Sequence, residues 1–542
     1  MNPSTLADLR VVVCGSGHGA KTAAAMAGRV TKHTSILLSD TPRYRARAAE
    51  LSAAIAAHGG LAAHAVTVGD TPIVGHIASV TCDAASVVPD ADVLIVVLPA
   101  DAHEGIIADL APHLRSQLVV FMPGTSALDL LLLRRALGKR CEEAFAAGLT
   151  YAAIKTLPWA TRERAIAEVH MRGVKGHVNV AAFPSTPMSR FTITAVLDAL
   201  CDAPGAQTRF QVEDHWLEAV LGIPYNYGGN PILHTGIMYA QWKDWAGEEL
   251  DEPPKFYHGT TQFTADTLEA LWSELHATQA ALAAALGLRE PPSRLAHVRS
   301  MMVSKYEAVV ADPSTLLAAL HSNDAWKHSL HPHKRLDNGK VVPDLHSRYL
   351  SEDIPFGLVA IKGVATLLRV PTPAIDRVVV WAQRHLGRQY VDPDTGALLD
   401  NEWVAKSGAP QRTGASTPEE LLQFVPAGVL ITNAAAVALA TTASVGALDE
   451  VLSSAASLMG ALSLGRPAKA GAAGSDDDDA SAFAIACDAA GVGVLSDGVM
   501  RALSGSRDAV SPFAAAFCQL RSGSFSAFAK RVASGPLGTV AE

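Results

Sequence analysis

The residues best suited to chemistry fall in three places. Near the start, Cys14-Gly15-Ser16-Gly17-His18-Gly19-Ala20 follows a β-branched run and precedes a helical segment, Lys21–Arg29. This is G-x-G-x-x-A between strand and helix. Gly15 permits the tight turn, Gly17 lets the backbone approach a pyrophosphate, and small Ala20 lets the helix pack on the sheet. The helix start offers unpaired N–H groups and a positive dipole end to phosphate oxygens. Gly15, Ser16, Gly17, His18, Gly19 and Ala20 therefore read as a dinucleotide site, the alternative being a bare packing turn. The second place is Asn226–Trp242, whose Gly-Gly-Asn-Pro opening is a helix entry with His234 one turn inside, among apolar residues. The third is His346–Val359, where Arg348 and Asp353 bracket a turn running into an apolar helix. On spacing alone, His234 is a satisfied core histidine or an acid–base group, and Arg348 is the partner of a neighbouring acid or an anion site.

These residues need elements to hold them. Strand-like runs at Val11–Cys14, Ser35–Leu38, Ala65–Val68, Val93–Leu98, Leu118–Met122 and Val178–Ala182 alternate with helical segments. That pattern implies βαβ crossovers and a doubly wound, mainly parallel sheet. From about residue 205 the periodicity turns helical, as at Phe263–Leu288, Thr315–His321 and Ile361–Arg369. The expected fold is thus α/β: an N-terminal Rossmann domain over 1–203, an all-α domain over 204–415, and an Ala-rich helical extension over 416–542 with a flexible acidic loop near 470–480.

The end of the second strand bears on the cofactor. Asp40 there would bond ribose hydroxyls and repel a 2′-phosphate, which favours NAD(H). Arg43, Arg45 and Arg47 follow at once and leave NADP(H) as the alternative. Pro99 and His103 follow the fourth strand, and Thr125 follows the fifth. Both exits lie on the carboxyl edge where an open α/β sheet keeps its ligand crevice. His103 reads as a capping or packing residue.

Composition excludes other classes. Of 542 residues, 49% are apolar and 18% charged, and the net charge is −9. This is neither a disordered chain nor a basic nucleic-acid binder. The six scattered cysteines suggest thiols in a reducing compartment, and nothing resembles a secretion signal or a metal-ligand cluster, so a cytoplasmic, metal-free protein is expected. The uncharged stretch Leu421–Leu448 contains Pro426 and Asn433 and owes its apolarity to Ala, so no membrane span is expected.

Seven segments, in order, resemble the octopine/nopaline (opine) dehydrogenase family: VVVCGSGHGA, ADVLIVVLPADAHEG, KTLPWATR, NPILHTGIMYAQWKDW, KFYHGTTQFTAD, SRYLSEDIPFGLV and VVWAQRHLGRQYV. They span roughly residues 10–415 and are most similar to the invertebrate octopine-type branch. The resemblance implies reductive condensation of an α-keto acid, commonly pyruvate, with the amino group of an amino acid, using NAD(P)H. It places the family's catalytic histidine at His234, its aspartate partner at Asp353 and the keto-acid arginine at Arg348. Two departures stand out. Thr235 follows His234 where many relatives have Pro, and Gly124-Thr125-Ser126-Ala127 replaces Ser-Gln-Ala-Gly, which puts a shorter Thr125 at the amino-acid contact and weakens the case for arginine as substrate. A hydroxy-acid dehydrogenase relying on Lys362 or Lys305, or a non-catalytic dinucleotide-binding scaffold, are the rival readings. The charge-poor extension would pack on the enzyme, self-associate or meet a partner.

Overall fold

Val11, Val12, Val13 and Cys14 are almost wholly removed from solvent, and a β-branched run buried on both faces belongs inside a parallel sheet. In the computed structural model that run is β1 (Arg10–Cys14). The structure describes residues 6–65, 71–122, 129–154, 156–184, 186–212, 230–285, 297–306, 309–417 and 420. Thr125, Leu421–Leu448 and the acidic stretch near 470–480 lie outside them. Leu9–Ser185 with Val196–Phe424 forms one unit, which carries every element named below.

The remaining strands are β2 (His33–Leu37), β3 (Leu61–Ala65), β4 (Ile73–Gly75), β5 (Ser79–Thr81), β6 (Val93–Val96), β7 (Leu118–Phe121), β8 (Thr150–Ile154), β9 (Trp159–Ala165), β10 (Glu168–Val174), β11 (His177–Phe183) and β12 (Arg209–Val212). The main sheet runs β12-β11-β8-β7-β6-β1-β2-β5. From β5 to β8 every pairing is parallel, and β11 joins β8 antiparallel. Numbered by chain order, the six parallel strands stand 3-2-1-4-5-6, the doubly wound order with its switch point between β1 and β6.

The third strand of that order is not the expected one. Of the expected run Ala65–Val68, residues 66–68 lie outside the described residues; Ala65 ends β3, which belongs to a second sheet, β4-β3-β10-β9, and short β5 holds the third place in the main sheet. Helix α1 (His18–Val30) lies against that second sheet, and everything from Gly19 to Gly28 is buried. Its small residues are what permit this: a Cβ on Gly28 would stand 2.3 Å from the His76 carbonyl oxygen, and one on Gly75 would stand 2.3 Å from that of Ala25. Helix α2 (Pro42–His58) starts where the Thr41 hydroxyl accepts from the Tyr44 amide and ends at left-handed Gly59. Helices α3 (His103–Leu110) and α4 (Asp129–Leu137) follow β6 and β7.

The second half contains α5 (Asn230–Trp242), α6 (Gln262–Ala285), α7 (Leu316–Ser322), α8 (Val359–Leu367) and α9 (Pro373–Leu386). It is not purely helical, because β13 (His333–Arg335) and β14 (Val341–Pro343) form a small antiparallel ribbon. Gly236 lets α5 close on α6; a Cβ there would come within 2.7 Å of Leu268 Cδ2. No helix among the described residues is long and apolar enough to cross a membrane.

Candidate active site

His234 enters the site on the second turn of α5. Pro231 and Asn230 start the helix, and Thr235 turns its hydroxyl back to the Pro231 carbonyl. Asp353 comes from a distant stretch and needs a special backbone. Pro355 has no N–H, so the chain after Asp353 widens into a π-helical turn, Ile354–Leu358, with Leu358 donating to the Asp353 carbonyl at 3.1 Å. Gly357 in this turn faces Pro231, and a Cβ on it would lie 2.6 Å from Pro231 Cβ. This close approach brings α5 against the turn, and His234 Nδ1 meets Asp353 Oδ2 at 2.8 Å.

Aromatic rings complete the setting. Tyr349 stacks on the His234 ring at 3.8 Å between centroids and 16° between planes. Phe256 meets it edge-on at 5.8 Å. Behind Phe256 lies His331, whose Nδ1 accepts from Trp242 Nε1 at 3.0 Å. Burial drives the His331 pKa down to about 3, so this ring is neutral. Burial, and then the Asp353 charge, raise the Tyr349 hydroxyl. A carboxylate only accepts, so His234 gives its Nδ1–H to Asp353, which in the neutral ring leaves the lone pair on Nε2; no hydrogen bond reaches Nε2 among the described residues. This is a proton acceptor with its tautomer fixed from behind.

Arg348 is exposed and pairs with Glu352 one turn on, its Nε donating to Oε2 at 2.6 Å. The pair lies near the dinucleotide edge, for the charge of Arg348 is felt at His18 and that of Glu352 at His103. His18 is pulled below the usual histidine range by burial first, with Arg162, Arg348 and Lys21 adding to it.

The backbone of the glycine-rich turn suits a pyrophosphate. Gly15 has φ +125°, and a Cβ there would strike the Val97 carbonyl oxygen at 2.5 Å. At Gly17 a Cβ would meet nothing within 4 Å, so the backbone is open on that side. Gly17 caps α1 without a side-chain bond to the first-turn amides. Ser16, Gly19 and Ala20 complete the turn, with Ala20 fully buried. Asp40 lines a cleft of about 600 Å³ with Arg45, Thr81, Asp83, Ala108 and Asp109. Its carboxylate is held by Arg45, whose Nη2 donates to Oδ2 at 2.8 Å. Pro99 starts the turn Ala100–Ala102 at the exit of β6.

Several features were not legible from spacing. His103 is packed, as read, but as a buried ion pair: Nδ1 meets Asp129 Oδ1 at 2.9 Å and Nε2 meets the Leu98 carbonyl at 3.1 Å. The stacked Tyr349 and the edge-on Phe256 had no sequence signal beyond lying in the family-like segments. Lys362 is buried on α8 against Asp376 Oδ1 at 2.7 Å and the Thr372 hydroxyl at 2.9 Å, an internal bond and not a lysine facing a substrate.

Residues 227–386 match a family model described as NAD/NADP octopine/nopaline dehydrogenase, alpha-helical domain. Octopine dehydrogenase from Mizuhopecten yessoensis is 31% identical over 425 residues, 76% of this chain and 98% of that protein. A solved octopine dehydrogenase structure with NADH and L-arginine is similar with a TM-score of 0.67 at 29% identity, and it covers 77% of this chain and 99% of its own. Another, with NADH and pyruvate, gives 0.64 at 28% identity with the same coverage.

Proposed function

The chain belongs to the octopine/nopaline dehydrogenase family, and from that premise we propose which reaction its site performs and which residues perform it. It is an NAD(P)H-dependent oxidoreductase acting on a carbon–nitrogen bond. The amino group of an amino acid attacks the carbonyl of an α-keto acid such as pyruvate, water leaves, and the imine is reduced to a secondary amine dicarboxylate. Bound NAD(P)H, with NAD(H) favoured, supplies the hydride to the imine carbon.

His234 takes the proton that the amine must lose before it attacks and returns one to nitrogen later. Imidazole suits both steps near neutral pH. Asp353 holds its tautomer and stabilises the charged ring. Arg348 releases Glu352 to take the planar carboxylate of the keto acid; the exposed pair it leaves is a weak one. Thr125 contacts the amino-acid substrate. Gly15, Ser16, Gly17, His18, Gly19 and Ala20 hold the pyrophosphate, Asp40 the ribose hydroxyls, and Pro99 lines the same edge. The division into a dinucleotide-binding part over 1–203, a catalytic part over 204–415 and an extension over 416–542, together with a cytoplasmic location, belongs to the same reading.

The observation that carries this reading is the 2.8 Å contact between His234 and Asp353 with Nε2 left open. NADH oxidation should require both substrates. Pyruvate, 2-oxoglutarate and glyoxylate are paired with arginine, taurine, glycine, alanine and lysine. Turnover that needs a keto acid and an amine together supports the reading, and turnover with one carbonyl compound alone overturns it.

A further inference from the structure

We infer that Arg412 is a positioning residue which, through Glu104, sets the His234–Asp353 pair against the dinucleotide-binding edge. The inference rests on the role proposed for that pair. The Arg412 side chain is only 5% exposed. Its Nη2 donates to Glu104 Oε2 at 2.6 Å, and its Nη1 donates to the Ser407 carbonyl at 2.7 Å. Its own carbonyl accepts from Arg135 Nη1 at 2.8 Å. Glu104 and Arg135 lie on α3 and α4, so two helices of the dinucleotide-binding half grip one short turn, Pro410–Thr413.

The other side of the same segment reaches the π-helical turn. Gly408 donates its amide to the Pro355 carbonyl at 2.9 Å, a group two residues beyond Asp353. A side chain on Gly408 would press on Phe356 Cα at 3.1 Å. Gln411 donates to the Gly363 carbonyl at 2.9 Å, and a Cβ on Gly363 would collide with Gln411, Pro410 and Ala409 at 2.6–2.9 Å. The segment 407–413 is therefore packed tightly against the turn that aims Asp353.

The near ends of α3 and α4 are fixed as well. His103, next to Glu104, bonds Asp129 at the start of α4 and the Leu98 carbonyl at the exit of β6. One chain of contacts thus runs from the β6 exit through His103, Glu104, Arg412 and Gly408 to Pro355. Because Glu104 and Arg412 are 308 residues apart, this contact ties the two halves of the enzyme together near the site. Misplacement of a reacting group by about 1 Å can cost ~100-fold in rate, so such a tie acts on turnover more than on binding.

The test uses the full-length enzyme with Glu104→Ala, Glu104→Gln and Arg412→Lys. Glu104 is half exposed on a helix, where Ala is well tolerated. For Glu104→Ala we expect NADH affinity by fluorescence titration and substrate KM to stay within about threefold, with kcat falling roughly 10- to 50-fold. The primary isotope effect with 4-deuterated NADH should rise, because hydride transfer becomes rate-limiting. Glu104→Gln, which can still accept from Arg412, should recover most of the loss. If Arg412→Lys does not fold, the Glu104 pair decides alone. A kcat within twofold of wild type for folded Glu104→Ala, whatever happens to Tm, overturns the inference. His234→Asn is run beside it. If His234→Asn is dead while Glu104→Ala is fully active, only the positioning role falls; if His234→Asn turns over normally, the underlying reading falls first.

Discussion

His103–Asp129 and His234–Asp353 use the same two side chains at nearly the same separation, 2.9 and 2.8 Å, yet they have different capacities. In the first pair the side chains are 1% and 0% exposed, and both ring nitrogens face acceptors, the Asp129 carboxylate and the Leu98 carbonyl. With both N–H groups engaged, such a ring offers no free lone pair to a substrate. Burial opposes its charge, but Asp129 and then the Leu98 carbonyl outweigh that and raise its pKa. In the second pair the side chains are 11% and 15% exposed, and only Nδ1 is engaged among the described residues. A His–Asp pair is therefore a lock or an acid–base group according to what its second nitrogen meets.

The largest effect that would sharpen this contrast is expected at Asp353. Asp353→Asn keeps the shape but offers the wrong tautomer to His234, and kcat should fall by ~10²–10⁴-fold with NADH affinity preserved. Full activity in stopped-flow or steady-state assays would break the contrast. Gly357→Ala forces α5 away from the π-helical turn, as its new Cβ meets Pro231 at 2.6 Å. It should lower kcat by about tenfold or more, read beside Tm.

His103→Gln should act the other way. It leaves Asp129 buried without its cation and should destabilise folding by ~3–5 kcal/mol in urea titrations. The folded fraction should keep kcat within about tenfold, since His103 touches no reacting atom in this account.

The pH dependence separates the buried rings further. For His331, with a folded pKa near 3 against 6.5 unfolded, the unfolded chain binds more protons between those values, so stability falls as pH drops through that window. The loss amounts to about 4 kcal/mol from pH 7 to pH 3. His331→Gln should flatten that acid limb. His103 has a raised folded pKa, so its stabilisation is complete below 6.5 and fades as pH rises through the raised value. The smallest effect is expected from Lys362→Met, which removes an internal bond to Asp376; activity should stay within about threefold while Tm drops, and an inactive, well-folded variant would revive a lysine-based mechanism.

Much of this was readable in the chain. β1, the glycine turn and α1 announce themselves because strand burial and the turn's special φ restrict residue types locally, at Val11–Cys14 and Gly15. His234, Arg348 and Asp353 were nameable only together with the family-like segments; spacing left them as a core histidine and a local ion pair, and Arg348 is indeed paired with Glu352. What stayed hidden is non-local. Leu61–Ala65 is strand-like wherever it pairs, so nothing local tells that its neighbour is β10, about 100 residues on. The Asp129 partner of His103 and the Arg412 partner of Glu104 are likewise chosen by packing. Nor does sequence show that Gly357 is small because Pro231 needs its space.

The central claim is that His234, backed by Asp353, moves the proton in imine formation and reduction. The most direct measurement is kcat for His234→Asn with saturating keto acid and amine, with NADH binding titrated on the same preparation. On that claim, near-normal NADH affinity and a kcat at least ~10²-fold below wild type are expected. Normal NADH binding with a kcat within a few-fold of wild type would contradict it.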